Sequence, residues 1–439
     1  MVGTPSPFWR WGPRQRLGES RQFGVVRTPS PFWRWGPRQS LGESRQFGVV
    51  GGGAAVSEPV DGRGPAFAAI AERIGRVGPL PFGAFVAAAL SGPGGFFTGG
   101  AGAGRRADFL TSPEVGPLFG AVVARALDAE WERLHRPDPF VVVEAGAGRG
   151  ALAKGVLDAA PACERALRYV LAERSPALRA AADQLLTVEP AANVLGGVGD
   201  DDDDGPPLAA AGTGPVVAVL DDLPATTFTG VVLANELLDN LPFDLVGRSA
   251  HGWDEVRVGL DGGALVEVLV AASPDLAAEA TALAPDTDAG SRIPIQHAAR
   301  TWLGRALGLL GAGSVILVDY ADDTPSLAAR PWDDWLRTYR GHQRAGHPLE
   351  APGTADITCE VAVDQLAVVR PPDRNRTQAA WLDAHGLPAL VEAARETWRA
   401  SAHVGDLHAL TARSRVGEGE ALMDRAGLGA FRVLEWRIG

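Results

Sequence analysis

The sequence contains few of the residues that form disulfides or bind zinc. Its 439 residues include two cysteines, Cys163 and Cys359, which are far apart and lack the spacing of zinc ligands. A disulfide framework is therefore excluded, and a reducing compartment is expected. No apolar run approaches the roughly 18 residues that a membrane span requires. The composition thus predicts a cytoplasmic protein with no metal site and no transmembrane segment.

Acidic residues outnumber basic residues outside the first 50 positions. The net charge is −12, and residues 1–50 carry eight arginines and two glutamates, a local +6, so the remaining residues carry −18. An acidic body lacks the basic face that binds phosphate backbones, so nucleic acid is not expected as a partner. Lysine is nearly absent, with Lys154 against 40 arginines, and this bias is typical of a GC-rich bacterial genome.

The first 50 residues contain a near-identical repeat. Residues 4–26 recur as residues 28–50 with one difference, Arg16 against Ser40. Two copies are too few to bury the core of a repeat protein. The Phe-Trp-Arg-Trp clusters could lie on a membrane or stack on bases, but the proline and glycine content opposes an amphipathic helix. Residues 1–64 are therefore predicted to be a disordered leader and linker, and the folded domain is expected at 65–439.

The remainder of the chain is organised around residues 140–150, FVVVEAGAGRG. The apolar run predicts a buried parallel strand, and the glycines predict a loop that a ligand can approach closely, followed by a helix. From Gly146 onward the loop loosely fits the dinucleotide fingerprint G-x-G-x-x-G/A. From Glu144 to Gly150 it also fits E-x-G-x-G-x-G, a motif of class I S-adenosylmethionine (SAM) methyltransferases. Because a carboxylate suits a cationic sulfonium and repels a pyrophosphate, SAM is the preferred cofactor.

Two further predicted strands end in polar residues. The strand Tyr169–Glu173 ends in an acid that can accept hydrogen bonds from both hydroxyls of a ribose; the alternative is a solvated or helix-capping glutamate. The strand 231–234 runs directly into Asn235, Glu236 and Asp239. Doubly wound sheets place chemistry at the carboxyl ends of buried strands, so these three are the best active-site candidates, with a capped helix start as the alternative.

A third polar segment, Thr-Ser-Pro-Glu, lies upstream of the glycine loop. Ser112 is predicted to be a helix N-cap with Pro113 at the first helical position, and Glu114 suits the positive end of the helix dipole. The same helix is expected to continue over residues 115–134. Capping alone is the alternative role for this segment.

Several longer segments complete the prediction. Residues 200–204 form an acidic run that is expected to be disordered and not a calcium site. Inserted segments are predicted at 251–275, which carries a hairpin signal, and at 325–375, a long connection of the kind that forms lids or binding segments. Residues 391–410 are predicted to form a helix.

Taken together, the motifs resemble the MidA-type SAM-dependent methyltransferases, the family of the mitochondrial complex I assembly methyltransferase and its bacterial relatives. The resemblance runs from about Pro79 to the C-terminus. Ala107 and Ala321 stand where the family usually has glycine. The segments that carry the resemblance include DFLTSPEVGPLFG (108–120), EAGAGRG (144–150), AERSPALR (172–179), VVLANELLDNLPFD (231–244), VILVDYA (315–321), YRGH (339–342) and TQAAWLDAHG (377–386).

The resemblance implies an α/β, Rossmann-like class I SAM methyltransferase fold, with a mostly parallel seven-stranded sheet, additional helices and an inserted hairpin and lid region. It implies SAM as the cofactor and a methyl-acceptor protein as the partner, such as a respiratory complex subunit methylated on arginine. The implied cofactor-binding residues are Glu144, Gly146, Gly148, Gly150, Glu173 and Asn235. The implied substrate-binding residues are Ser112 and Pro113. No oligomeric state is predicted.

The acids Glu236, Asp239 and Glu114 are the candidate catalytic residues. A guanidinium is protonated at neutral pH, so carboxylates are needed to orient it and to localise its charge. Two other functions remain open at this point. One is a SAM-binding assembly factor whose methyl transfer is dispensable, and the other is a small-molecule O- or N-methyltransferase.

Overall fold

The computed structural model describes residues 64–99, 111–195, 210–341 and 343–439. The predicted leader and linker at 1–64, except for residue 64, and the acidic run at 200–204 lie outside the described residues. The helices are α1 Pro65–Val77, α2 Phe82–Ser91, α3 Ser112–Val115, α4 Pro117–Arg133, α5 Ala151–Asp158, α6 Pro176–Leu185, α7 Ala191–Leu195, α8 Pro274–Leu283, α9 His297–Gly308, α10 Thr324–Ala328, α11 Trp332–Trp335, α12 Val363–Ala367, α13 Gln378–Ala384, α14 Leu387–Ser401 and α15 Leu407–Met423. The strands are β1 Leu80–Pro81, β2 Phe140–Ala145, β3 Leu167–Ala172, β4 Val216–Leu220, β5 Phe228–Asn235, β6 Asp244–Ser249, β7 Gly252–Asp261, β8 Ala264–Ala271, β9 Arg292–Ile295, β10 Leu310–Asp319, β11 Ala321–Asp322, β12 Leu336–Arg340, β13 Gln343–Arg344, β14 Asp356–Cys359, β15 Val361–Ala362, β16 Arg374–Thr377 and β17 Arg432–Ile438.

The main sheet has seven strands in the order β16-β17-β10-β5-β2-β3-β4. The strands from β10 to β4 are parallel to one another. Strand β17 is antiparallel to both of its neighbours, β10 and β16. This confirms the predicted mostly parallel, seven-stranded sheet. From β2 the chain moves outward through β3 and β4, then returns to the other side of β2 at β5. The carboxyl ends of β2 and β5 therefore form a switch point, where open sheets of this kind bind ligands.

Helices cover both faces of the main sheet, as the apolar sequence of its central strand requires. All six residues of β2 are buried, and their side chains alternate between two cores. On one face Val142 packs with residues of α4, α5, α13 and α15. On the other face Val143 packs with residues of α9 and α12. Burial on both faces holds the strand, and thus the loop that follows it, in place.

A second, five-stranded sheet accounts for much of the inserted sequence. It has the order β1-β7-β6-β9, with β8 paired to β7. The predicted hairpin is present as β7 and β8. It is part of this larger sheet, whose strands β6 and β9 were not predicted. Helices α1 and α2 pack on the sheet through Ile70 and Phe85, which share a core with Val258. The N-terminal helices are therefore held beside the main sheet by a sheet that sequence patterns only partly predicted.

The prediction of one helix from Ser112 to Leu134 is wrong. The chain forms the single turn α3, leaves helical geometry at Gly116, whose backbone is extended, and restarts as α4 at Pro117. Because proline disfavours helical geometry in the residue before it, the Gly116-Pro117 pair breaks the helix. The N–H of Leu118 then donates to the carboxylate of Glu418 on α15 at 3.3 Å, so a distant helix caps the new start.

The prediction of one helix over residues 391–410 is also wrong. Two helices, α14 and α15, occupy this region and are separated at residues 402–406. Gly405 has φ +67°, and the Asp406 side chain accepts a hydrogen bond from the N–H of Ala409 at 2.8 Å. A left-handed glycine followed by an N-cap acid is a stop and start signal that the apolar periodicity concealed. The connection at 325–375 likewise contains regular structure, including the small sheet β13-β12-β14.

Candidate active site and cofactor cavity

A cavity of about 520 Å³ lies at the carboxyl ends of the central parallel strands. Its walls come from the segments that follow β2, β3, β4 and β5, from the end of α2, and from α3. The predicted site segments are thus brought to one place, although they are spread over more than 120 residues of sequence. The structure adds wall residues that sequence reasoning did not single out, notably Phe97, Arg149, Asp221 and Trp302.

The glycine loop forms one wall of the cavity. Gly146, Gly148 and Gly150 have φ values of +67°, +56° and +80°, a region that residues with a Cβ rarely adopt. The loop is held by hydrogen bonds to the end of β3, since the Gly146 N–H donates to Ala172 O at 2.8 Å. A Cβ built at Gly148 would meet no atom within 4 Å, because this residue faces the open cavity.

Glu173, which was predicted to be a ribose ligand, lies directly beside this loop. Its carboxylate accepts hydrogen bonds from the N–H of Gly148 at 2.9 Å and from the N–H of Ser175 at 2.7 Å. Burial raises the pKa of this carboxyl, and the two backbone donors oppose that rise. Glu173 is therefore held in one position at the cavity wall by backbone groups.

Glu144 has different surroundings. It lines the cavity but is 4% exposed, and its carboxylate accepts a hydrogen bond from the hydroxyl of Tyr169 at 2.7 Å. Burial raises the pKa of Glu144 to about 8, although the Tyr169 hydrogen bond opposes the rise. Near neutral pH this carboxyl therefore takes a proton readily, and the contact that the structure gives it is with the sheet interior.

The end of β5 holds the predicted catalytic segment in a strained conformation. Glu236 has φ +50°, which is unusual for a residue other than glycine, and its N–H donates to Val318 O at 2.8 Å. Its carboxylate accepts from the Asn235 amide at 3.1 Å and, more weakly, from the Ser112 N–H at 3.4 Å. Burial raises the pKa of Glu236 to about 8, and the charge of Asp239 contributes to the rise.

Asp239 lies behind this wall and is 3% exposed. Its Oδ1 has no hydrogen-bond partner among the described residues, and burial raises its pKa to about 7. The neighbouring Asp319 accepts from the N–H groups of Leu238 and Asp239 at 3.0 and 3.4 Å. Burial raises the pKa of Asp319, as do the charges of Asp239 and Glu236. Sequence reasoning missed Asp319, although an acid directly after the apolar run of the VILVDYA segment (315–321) was an available signal.

The Thr-Ser-Pro-Glu segment forms α3 at the opposite wall. The prediction of Ser112 as N-cap is wrong, since Thr111 occupies that position and the Ser112 hydroxyl, fully buried, donates to Gln378 Oε1 at 3.1 Å. Pro113 and Glu114 line the cavity. The Glu114 side chain is 4% exposed and pairs with Arg149 of the glycine loop, with 3.1 Å between carboxylate and guanidinium.

The residues present fit SAM better than a dinucleotide. The buried Oδ1 of Asn235 has no partner among the described residues, and it belongs to a wall residue. Such an acceptor suits a cofactor that carries an ammonium and a sulfonium. A pyrophosphate would instead face Glu114 and Glu173 across one cavity. The acceptor groups of the wall therefore favour a cationic cofactor.

None of the helices in the described ranges combines the length and the apolar character that a bilayer span requires. The same ranges contain no group of three or more histidine, cysteine, aspartate and glutamate side chains placed to hold a metal ion.

Comparison with known proteins adds the chemistry to this geometry. A family model described as "Putative S-adenosyl-L-methionine-dependent methyltransferase" matches residues 122–375, more than half of the chain. The mitochondrial protein arginine methyltransferase NDUFAF7 homolog of Drosophila melanogaster is 27% identical over 320 residues, which is 70% of each chain. The mitochondrial protein arginine methyltransferase NDUFAF7 of Danio rerio is 26% identical over 315 residues, covering 68% of this chain and 70% of that protein.

A similar solved structure comes from Burkholderia thailandensis and contains bound S-adenosyl-homocysteine. It matches this chain with a TM-score of 0.68 and 27% sequence identity, covering 85% of this chain and 92% of that one. The similarity therefore extends over both the main sheet and most of the inserted structure, and not over the glycine-loop region alone.

Proposed function

We propose that this chain, which belongs to the family of S-adenosyl-L-methionine-dependent methyltransferases matched by residues 122–375, transfers a methyl group to an arginine side chain of a protein. SAM is its cofactor, and methyl transfer is its reaction class. Support for the acceptor comes from two directions. The relatives from Drosophila melanogaster and Danio rerio are named protein arginine methyltransferases. The cavity also carries carboxyl groups beyond those that the cofactor needs.

The residues that would hold the cofactor are those of the loop wall. Glu173 would accept from the ribose hydroxyls, Gly148 leaves room beside the loop, and Asn235 offers an unpaired acceptor oxygen. When bound, SAM supplies a methyl group on a positively charged sulfur, so that departure of the leaving group needs no acid from the protein. The work left to this chain is to bind and orient the acceptor and to exclude water from it.

The observation that carries the proposed acceptor is the set of acids Glu114, Glu236 and Asp239 at and behind one cavity. A guanidinium carries a delocalised charge and donates from a planar fork, so two or more carboxylates can orient it and localise its charge. Glu114 on α3 and Glu236 at the end of β5 both line the cavity. The Ser112 N–H of α3 donates to the Glu236 carboxylate at 3.4 Å, so the two walls are in contact. A guanidinium that gains a methyl group must release one proton to return to a single charge. With a pKa raised to about 8, the Glu236 carboxylate is suited to accept that proton.

The test is to incubate the protein with methyl-labelled SAM and a cell extract, hydrolyse the proteins to amino acids and identify the labelled product. We expect label in methylated arginine. Glu236→Gln should reduce the rate on the order of a hundredfold with SAM binding unchanged, because the acid acts on the acceptor and not on the cofactor. Asp261→Asn, an exposed acid in the β7–β8 turn, is the control and should leave the rate unchanged.

Each contrary outcome identifies a different function. Label found only in small molecules would indicate a small-molecule methyltransferase. SAM binding without any transfer would indicate an assembly factor whose catalysis is dispensable. If Glu236→Gln formed methylated arginine at the wild-type rate, the proposed reaction would stand and Glu236 would be removed from the catalytic residues.

A further inference from the structure

Arg149 connects the two parts of the cavity. It lies between Gly148 and Gly150 in the glycine loop, where the loop backbone is fixed to the Glu173 carboxylate. Its guanidinium reaches the opposite wall and pairs with Glu114 of α3 at 3.1 Å. A residue rooted in the cofactor loop therefore touches an acid that belongs to the proposed acceptor site.

The Arg149–Glu114 ion pair uses only half of the carboxylate. Arg149 Nη2 contacts Oε1 of Glu114, whereas Oε2 is buried and has no partner among the described residues. Arginine commonly binds a carboxylate through two parallel hydrogen bonds, and a buried carboxylate oxygen without a donor is unfavourable. The free oxygen therefore has the capacity for a second donor, and it belongs to a residue that lines the cavity.

The two side chains of this ion pair also differ in their exposure to solvent. The Glu114 side chain is 4% exposed, whereas that of Arg149 is 51% exposed. The carboxylate is thus embedded in the wall, and the guanidinium approaches it from the solvent side. The adjacent Ser112 N–H donates to Glu236 at 3.4 Å, so α3 contacts both the cofactor loop and the end of β5.

We propose that Arg149 is a positioning residue for methyl transfer: from within the cofactor loop it holds Glu114 by one oxygen, so that the other oxygen binds the cationic side chain of the acceptor. This rests on the proposed function, because it assumes a cationic acceptor. Arg149 would act through Glu114 and need not contact the acceptor itself. Acceptor binding would then depend on the loop that binds the cofactor.

The test uses full-length protein saturated with S-adenosyl-homocysteine and two small probes, N-acetyl-arginine amide and its neutral analogue N-acetyl-citrulline amide. Ligand-observed NMR measures the affinity of each probe, and calorimetry measures that of S-adenosyl-homocysteine. We expect the wild type to prefer the arginine probe. Arg149→Met should weaken that probe about tenfold while S-adenosyl-homocysteine binds as before. Arg149→Lys should restore most of the loss, because one charged contact suffices.

Two further variants make the result specific. Lys154→Met removes the exposed pair of Lys154 with Asp158 on α5, directly after the loop, and should leave both affinities unchanged. Glu114→Gln removes the carboxylate of the same ion pair. It should weaken the arginine probe with S-adenosyl-homocysteine binding intact, and it decides the matter if Arg149→Met does not fold.

Wild-type affinity for the arginine probe in Arg149→Met would overturn the inference and leave the proposed function standing. So would loss of S-adenosyl-homocysteine binding in a folded Arg149→Met protein, since Arg149 would then serve the cofactor. A wild type that binds both probes equally, or neither, would instead remove the cationic acceptor and the proposed function with it.

Discussion

The main sheet has acids at two strand ends, after β3 and after β5 on the other side of β2, and their surroundings differ. After β3, Glu173 accepts two backbone hydrogen bonds, from Gly148 and Ser175. After β5, Asp239 has a buried oxygen with no partner among the described residues, and Glu236 accepts one long contact from Ser112 besides that from Asn235. Backbone donors of the protein thus hold both oxygens of Glu173, whereas a buried oxygen after β5 keeps its acceptor capacity unused.

Electrostatics sharpen this difference. Burial raises the pKa of the carboxyl in both groups. At Glu173 backbone donors oppose the rise, but at Glu236 the neighbouring charge of Asp239 adds to it. Acids that raise the pKa of one another are stabilised in their charged form by a cation. Under the proposed function, a preformed cofactor wall lies beside an acceptor wall that a positively charged group would complete.

The largest expected effect is on the cofactor wall. Gly148→Val should weaken SAM binding by at least about a hundredfold, because a β-branched residue strains φ +56° and its side chain would stand in the cavity. Calorimetric titration of SAM measures the loss.

Gly262→Val is the matched control for this substitution. Gly262 has the same φ of +56°, also has no atom within 4 Å of a built Cβ, and lies in the β7–β8 turn. It should carry the same backbone strain and bind SAM normally. Equal loss of SAM binding in both variants would mean that strain, and not the cavity, decides the result.

An intermediate effect is expected from pH at the acceptor wall. The raised pKa values, about 8 for Glu236 and about 7 for Asp239, mean that these groups become anionic only as pH rises through this range. Methyl transfer to an arginine peptide at saturating SAM should therefore rise on the order of tenfold between pH 6 and 8. Glu236→Gln should flatten much of that rise. A wild-type profile that is flat, or that falls with pH, would contradict the role of these acids.

The smallest expected effect is on stability. The pKa of Asp239 is raised on folding, so the folded state holds the proton more tightly than the unfolded state. Its stabilising contribution is present below about pH 4 and is lost as pH rises through about 7, by at most about 1.4 kcal/mol per pH unit. Asp239→Asn should therefore raise the melting temperature at pH 8 by about 2 °C and have little effect at pH 4.

Thermal unfolding at both pH values measures this, with Asp261→Asn as the exposed control. A lower melting temperature for Asp239→Asn at pH 8 would show that the charged form of Asp239 is stabilising. The acceptor wall would then be complete without a ligand, and the contrast between the two groups of acids would fail.

Much of the cofactor wall could be predicted from sequence because its signals are local. The strand 140–145, the three glycines and the acid after the next strand each follow from a few consecutive residues. The family resemblance drawn from these and the other motifs is confirmed by the family model and the similar structures. The roles assigned to individual site residues stay predictions.

Predictions failed where a distant part of the chain decides the local structure. Ser112 looked like an N-cap, but its hydroxyl contacts Gln378, 266 residues away. The helix expected after it is interrupted, and Glu418 caps the restart. The strands β6 and β9 escaped detection because their sheet joins segments that are far apart in sequence.

The sequence by itself determined the strand–loop–helix unit and its left-handed glycines, since short-range sterics and backbone hydrogen bonds act between neighbouring residues. Only the tertiary structure decided which groups the acids contact. Glu236 meets the Ser112 backbone over 124 residues, Asp319 meets the Leu238 backbone over 81, and Arg149 meets Glu114 across the cavity. Those contacts depend on how the helices and the two sheets pack, and burial in that packing, not residue type, sets the pKa of the acids.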